Sequence, residues 1–239
     1  NNKITMLHSA ETLSKRIDEA IRQIPFDLKP ATLFDPIRYA LSVGGKRIRP
    51  LLVLMATDLF GKELESSLGP AIGIEIFHNF TLLHDDLMDN SDIRRGKPTV
   101  HRKYGTNSAI LSGDAMLIES YRYMATAPPA ILPELLALFT KTAMEVCQGQ
   151  QLDMDFEKRS DVTESEYLEM IRLKTAVLLG CALKMGAMIG GATSQDAELL
   201  YDFGINIGLA FQLKDDLLDV YGDPRTFGKN IGGDIVCNK

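Results

Sequence analysis

Ile72–Asp89 reads IGIEIFHNFTLLHDDLMD. Its first twelve residues are apolar on nearly every face at helical spacing, which predicts a buried central helix over about 68–89. The helix then ends in Asp85, Asp86 and Asp89. The pattern returns in FQLKDDLLDV, Phe211–Val220, with Asp215, Asp216 and Asp219. In each cluster the acids stand at i, i+1 and i+4. The i and i+4 members lie above one another on one helix face, and the middle acid points about 100° away. Asp85 with Asp89, and Asp215 with Asp219, are therefore paired oxygen donors. No Lys or Arg follows at i+4 to neutralise either pair, and like charges this close need a cation between them. Hard oxygen donors suit Mg²⁺ shared with water and phosphate, and the Cys/His ligands that favour zinc are missing. A single such cluster reads equally well as a solvated helix end; two matching ones, each closing an apolar helix, favour metal.

Outward from the acids the chain turns basic. GGKRIRP (Gly44–Pro50) carries Lys46, Arg47 and Arg49 behind two glycines, and RRGKPTVH (Arg94–His101) carries Arg94, Arg95 and Lys97. Glycine lets backbone approach a ligand, and arginine forks match phosphate oxygens. The whole chain is acidic, with a net charge of −6 over 239 residues. That argues against a nucleic-acid partner and for a small anionic ligand held by two basic loops. No P-loop, no dinucleotide-binding glycine motif and no EF-hand loop occurs.

Apolar spacings of three and four run almost throughout, and alternating strand patterns are scarce. Helices are expected from Leu7 to Ile24 before Pro25, then at about 33–42, 50–60, 68–89, 107–126, 131–157, 164–190 and 194–221, with a polar loop over 90–106. Thr163–Glu166 (TESE) and SQDAE have the form of helix starts. The expected fold is all-α, a single domain of long, mostly antiparallel helices over residues 1–239. Its last stretch, YGDPRTFGKNIGGDIVCNK, is a glycine-rich loop with no helix to cover it, so a missing C-terminal part is expected. The polar, periodic N-terminus does not resemble a signal peptide. No run of about 18 apolar residues predicts a membrane span. Three scattered cysteines, Cys147, Cys181 and Cys237, fit reduced thiols and a cytoplasmic location.

Taken together, GGKRIRP, HNFTLLHDDLMD, RRGKPTVH, GDAML, GQQLDM, KTA, GLAFQLKDDLLD and FGKNIGGDI resemble the trans-isoprenyl diphosphate synthases (polyprenyl synthetases), and the match extends to the terminal NK. The resemblance implies an isoprenoid synthase fold, helices around a deep central cavity with the two acidic helices across its mouth, and a homodimer. It implies that isopentenyl diphosphate is condensed head-to-tail (1'-4) with an allylic prenyl diphosphate. Asp85, Asp89 and Asp215 would bind Mg²⁺, three ions per active site, with Asp86, Asp216 and Asp219 in support. Arg94, Lys174, Lys229 and Lys239 would hold the allylic diphosphate. Lys46, Arg49, His78 and Arg95 would hold that of isopentenyl diphosphate. Thr175 and Gln212 would line the reacting centre. Loss of diphosphate needs its growing charge neutralised, and the resulting cation needs a dry apolar cavity.

In that family a large residue one turn before the first motif forms the floor of the chain-binding cavity. Phe80 stands five positions before Asp85, with Thr81 beside it and Ile76 and Phe77 a turn deeper. No residues are inserted in DDLMD, unlike the usual bacterial farnesyl type; the combination resembles the geranylgeranyl type more, and a C20 product is expected slightly ahead of C15. Gln148 departs from the Glu or Gly more usual before Gly149. A terpene cyclase, which would not need GGKRIRP, and a non-catalytic partner subunit, which would lose an acidic motif, fit less well. A helical Mg²⁺-dependent phosphohydrolase would need a water-activating base that the sequence does not show. His84 is expected to be an ordinary helical histidine, packed or solvated.

Overall fold

The computed structural model describes residues 7–221, and side chains up to Leu218. Ten α-helices follow one another: α1 (Ala10–Arg22), α2 (Ala31–Ser42), α3 (Ile48–Leu59), α4 (Glu65–Met88), α5 (Val100–Tyr104), α6 (Thr106–Met124), α7 (Leu132–Phe156), α8 (Glu164–Ile171), α9 (Val177–Gly190) and α10 (Ser194–Tyr221). The all-α reading holds. The expected first helix is shorter than its apolar spacing suggested. It starts at the Ser9 cap, whose hydroxyl accepts from Thr12 N, and Leu7 lies outside it, exposed. Thr163 and Glu166 form the expected capping box at the start of α8.

The helices gather into two compact units. One comprises the chain up to Leu136 together with Met185–Thr193; the other comprises Ala137–Lys184 and the chain from Ser194 onward. In the first unit α4 is the axis, packed against α6 and α3. Every residue from Pro70 to Phe77 is buried, as its apolar run requires. The α4–α6 crossing is close because Gly73 has no side chain. A Cβ there would stand 2.9 Å from the Ser120 carbonyl oxygen. Thr57 on α3 is fully buried and donates to the carbonyls of Val53 and Gly186, tying α3 to the end of α9.

Two features were not anticipated. The polar loop after α4 contains a hairpin, β1 (Ile93–Arg94) paired antiparallel with β2 (Lys97–Pro98). Its two turn residues, Arg95 and Gly96, both have positive φ, 51° and 74°. That is the primed two-residue turn that suits the twist of paired strands. Two-residue strands leave no alternation to read. The helix expected over 164–190 is also interrupted, because Arg172–Ala176 adopt a π-helical turn between α8 and α9. The stretch Glu164–Gly190 has the length and apolarity of a membrane span, but 78% of its most apolar window is buried within the protein. The ordinary reading is a core helix.

Candidate active site

The first acidic cluster closes α4. Asp89 caps the helix and its N–H still donates to Asp85 O at 2.9 Å, so the helical alignment of Asp85 over Asp89 persists to the end. Asp89 is exposed, Asp85 half-buried and Asp86 buried. No basic residue occupies the last turn, and the negative end of the helix dipole adds to the demand for a cation there. Asp86 is the inward member. Arg94 Nε, carried on β1, lies 2.9 and 2.8 Å from its two oxygens, and Arg94 Nη2 reaches Asp85 at 3.4 Å. Burial pushes the Asp86 carboxyl up from its ordinary value, opposed by the Arg94 hydrogen bond and charge. Among the described residues no group of three His, Cys, Asp or Glu side chains forms a complete metal cage. A pair of carboxylates on one face, with waters and ligand oxygens completing the shell, is the donor set that Mg²⁺ prefers, and Asp85 with Asp89 fits it.

Beside this cluster the two basic loops touch. Arg95 donates to the Gly44 carbonyl, and its guanidinium lies against Gly45, where a Cβ would stand 2.7 Å from Arg95 Nη1. Gly45 has φ 141°, so this position needs glycine for both conformation and space. Arg49 Nη1 lies 3.1 Å from His78 Nε2. Arginine only donates, so Nε2 accepts and the ring proton sits on Nδ1. Burial, with Arg49 and Arg95 next in weight, holds His78 well below the usual imidazole range, so this ring is neutral. Burial also lowers Arg49 to about 10 against the pull of Glu75, and burial with the neighbouring Arg94 and Arg47 lowers Arg95. Crowded arginines that depress one another describe a place where an anion is strongly favoured. Lys46 is exposed at the lip of the same loop. Asn79, Asp86, Arg94 and Arg95 line a cleft between α2, α4 and the hairpin.

In the second unit, Lys174 and Thr175 sit on the π-turn. Lys174 Nζ pairs with the buried Asp153 at 2.7 Å, and Thr175 Oγ1 donates to Gln212 Oε1 at 3.0 Å. The turn is gripped on both sides by glycines. A Cβ on Gly149 of α7 would meet Lys174 N at 2.3 Å, and one on Gly208 of α10 would meet Ala176 Cα at 2.5 Å. π-turns of this kind occur often at functional positions. On α10, Asp215 is half-buried and Lys214 is exposed. Gln212 Nε2 donates to Asp216 Oδ1 at 2.8 Å, and the Tyr167 hydroxyl donates to Asp216 Oδ2.

The polyprenyl synthetase family profile matches residues 30–239. Geranylgeranyl diphosphate synthase from Methanosarcina mazei is 41% identical over 238 residues, 99% of this chain and 74% of that protein. Geranylfarnesyl diphosphate synthase from Natronomonas pharaonis is 42% identical, covering 93% of this chain and 71% of that one. A crystal structure of a geranylgeranyl pyrophosphate synthase superposes with a TM-score of 0.92 at 52% identity, over 96% of this chain and 70% of that one.

The chain belongs to the polyprenyl synthetase family.

Within this polyprenyl synthetase, Arg49, His78 and Arg95 stand together, and Arg94 lies with Asp85 and Asp86. Thr175, Gln212 and Asp216 are joined in the second unit. Phe80 is 9% exposed, its ring 5.6 Å from Phe77 and 4.9 Å from His84; Ile76 and Phe77 are fully buried, and Thr81 donates to His78 O. His84 is packed, as expected, with its ring over Gly113 and Nε2 3.3 Å from Ile110 O. Gln148 is exposed on α7. Lys229, Lys239, Cys237 and the Asp219 side chain lie outside the described residues. Arg47, grouped by its sequence with the phosphate-binding cations, is instead buried and paired with Glu75. Sequence reading missed Tyr167, Asp153 and Glu75. Only Glu75 carried a signal, as a carboxylate inside an unbroken apolar run, which must find a buried cation.

Proposed function

We propose that this polyprenyl synthetase is a Mg²⁺-dependent trans-prenyltransferase. It joins isopentenyl diphosphate head-to-tail (1'-4) to an allylic diphosphate and releases a short-chain prenyl diphosphate, C20 ahead of C15. The observation that carries this reading is the cluster of Arg49, His78 and Arg95 against the glycine loop, next to the acidic end of α4. A cation-rich pocket beside paired carboxylates suits two diphosphates, one held by arginine alone and one shared with metal.

Arg49 and Arg95, with Lys46 at the lip, bind the diphosphate of isopentenyl diphosphate, and neutral His78 donates from Nδ1 without adding charge. Asp85, Asp89 and Asp215 hold Mg²⁺, and Arg94 and Lys174 meet the allylic diphosphate from the protein side. When bound, Mg²⁺ neutralises the charge that grows on the departing diphosphate. The Thr175 hydroxyl and Gln212 carbonyl dipoles steady positive charge on the allylic carbon. Phe80 and Thr81 set the depth available to the growing chain, backed by Ile76 and Phe77. Homodimerisation and a cytoplasmic location complete the proposal.

The test is incubation of the full chain with Mg²⁺, labelled isopentenyl diphosphate and, in parallel, dimethylallyl, geranyl and farnesyl diphosphates. The dephosphorylated products are sized by chromatography. A discrete C20 or C15 alcohol, lost with EDTA and in Asp85→Asn, is expected. Folded protein that incorporates no label refutes the reading.

A further inference from the structure

Gln212 has an amide that can face either way, and only one way leaves its carbonyl oxygen toward Thr175. The structure assigns the choice to Tyr167: we infer that Tyr167 is a positioning residue that fixes Asp216, and through it the direction of the Gln212 amide at the reacting centre. This rests on the reading of Thr175 and Gln212 as that centre.

The argument is one of donors and acceptors. An ionised carboxylate only accepts. Asp216 stands one helical turn after Gln212 on α10, and Oδ1 takes the Gln212 Nε2–H at 2.8 Å. The amide nitrogen is thereby committed to Asp216, so Oε1 must point the other way. There it accepts the Thr175 hydroxyl proton at 3.0 Å. That bond commits the threonine proton as well, so the oxygen lone pairs of both side chains are left to face the reacting carbon. Oδ2 of Asp216 is held by the Tyr167 hydroxyl, which comes from α8, the helix just before the π-turn. Without that second donor the carboxylate is gripped on one side only and turns about its Cβ–Cγ bond, and the amide loses its fixed acceptor. The four groups lie in one compact unit, and α8, the π-turn and α10 pack together there. Tyr167 is half-buried, so its hydroxyl works where water competes weakly for Asp216.

Tyr167→Phe removes one oxygen and keeps the ring. The expected result is a fall in kcat of about tenfold, in line with losing a hydrogen bond to a charged group. KM for isopentenyl diphosphate stays within about twofold, because its groups are in the other unit, and the variant stays folded with Tm lowered by no more than a few degrees. In metal-free protein labelled with ¹⁵N, the Gln212 side-chain amide resonances, assigned with Gln212→Glu, shift in Tyr167→Phe. Asp216→Asn provides a second route. Its side chain can donate to Gln212 and so permits the reversed amide, and adding Tyr167→Phe to it lowers kcat no further. Unshifted Gln212 resonances, an unchanged kcat, or losses from the two substitutions that simply multiply would each overturn the inference. If wild-type protein makes no prenyl product, the proposed function fails, and the amide resonances still decide the role of Tyr167.

Discussion

Arg47 Nη1 lies 2.5 Å from Glu75 Oε1, and the two side chains are 6% and 4% exposed. Arg47 is the left-handed residue (φ 48°) from which α3 starts, and its other nitrogen donates to Leu41 O at 2.6 Å. Asn79 Nδ2 donates to the same Glu75 oxygen at 2.9 Å. One buried arginine therefore ties the end of α2, the start of α3 and the middle of α4, and sets where Lys46 and Arg49 on either side of it emerge. Glu75→Ala leaves that arginine buried and unpaired, and unfolding in guanidinium should show a loss of about 3–5 kcal/mol. Replacing both partners, Arg47→Met with Glu75→Leu, should lose much less stability.

Phe80 sits one turn below Asp85 with its ring against Phe77 and His84. If it is the floor of the chain-binding cavity, Phe80→Ala should shift products beyond C20 on the same chromatogram. Cutting back a buried aromatic also costs about 3–5 kcal/mol, so product size must be read on the folded fraction. Unchanged product length moves the floor elsewhere.

Gly149→Ala and Gly208→Ala each push a methyl group into backbone, at 2.3 Å from Lys174 N and 2.5 Å from Ala176 Cα. Backbone yields far less than a side-chain tip. Each should lower stability by about 1–3 kcal/mol or more, and should reduce kcat by displacing Lys174 and Thr175. An alanine variant with wild-type Tm and kcat would mean that the π-turn adjusts freely.

His78 is half-buried and neutral among arginines, its imidazole held well below 6.5 by desolvation and by their charge. Below pH 6.5 the unfolded chain binds a proton at this ring that the folded chain refuses. Stability therefore falls as pH drops through and below 6.5, and is insensitive to this group above it. His78→Asn should flatten that acid limb, so the Tm gap between wild type and variant narrows as the buffer is acidified from pH 7 to 5.

Much of this was legible before any coordinates. The helix of Ile72–Asp89 announces itself because burial on all faces leaves an unbroken apolar run, and the acids at its end stand out by contrast. The capping box at Thr163 is a local signal and is read locally. The hairpin at Ile93–Pro98 was invisible because two-residue strands have no period, and the π-turn because one extra residue in a long apolar helix leaves its pattern nearly intact. Tyr167 escaped for a different reason. A tyrosine on an amphipathic helix looks like packing, and only the approach of α10 reveals the carboxylate waiting for its hydroxyl.

Arg94 and Arg95 are neighbours in the chain and part company in space. Strand geometry turns Arg94 to Asp86, while the tight turn hands Arg95 to the Gly44–Gly45 loop. The hairpin thus acts as a sorting device that gives each cation its own addressee. Insertion or deletion of a single residue between Asp89 and Arg94 would leave the turn at Arg95 and Gly96 intact and shift the hairpin as a body against the end of α4, taking Arg94 away from Asp86. The length of this stretch is therefore what couples the acidic end of α4 to its cation, and a variant with an altered count here should lose that pairing first.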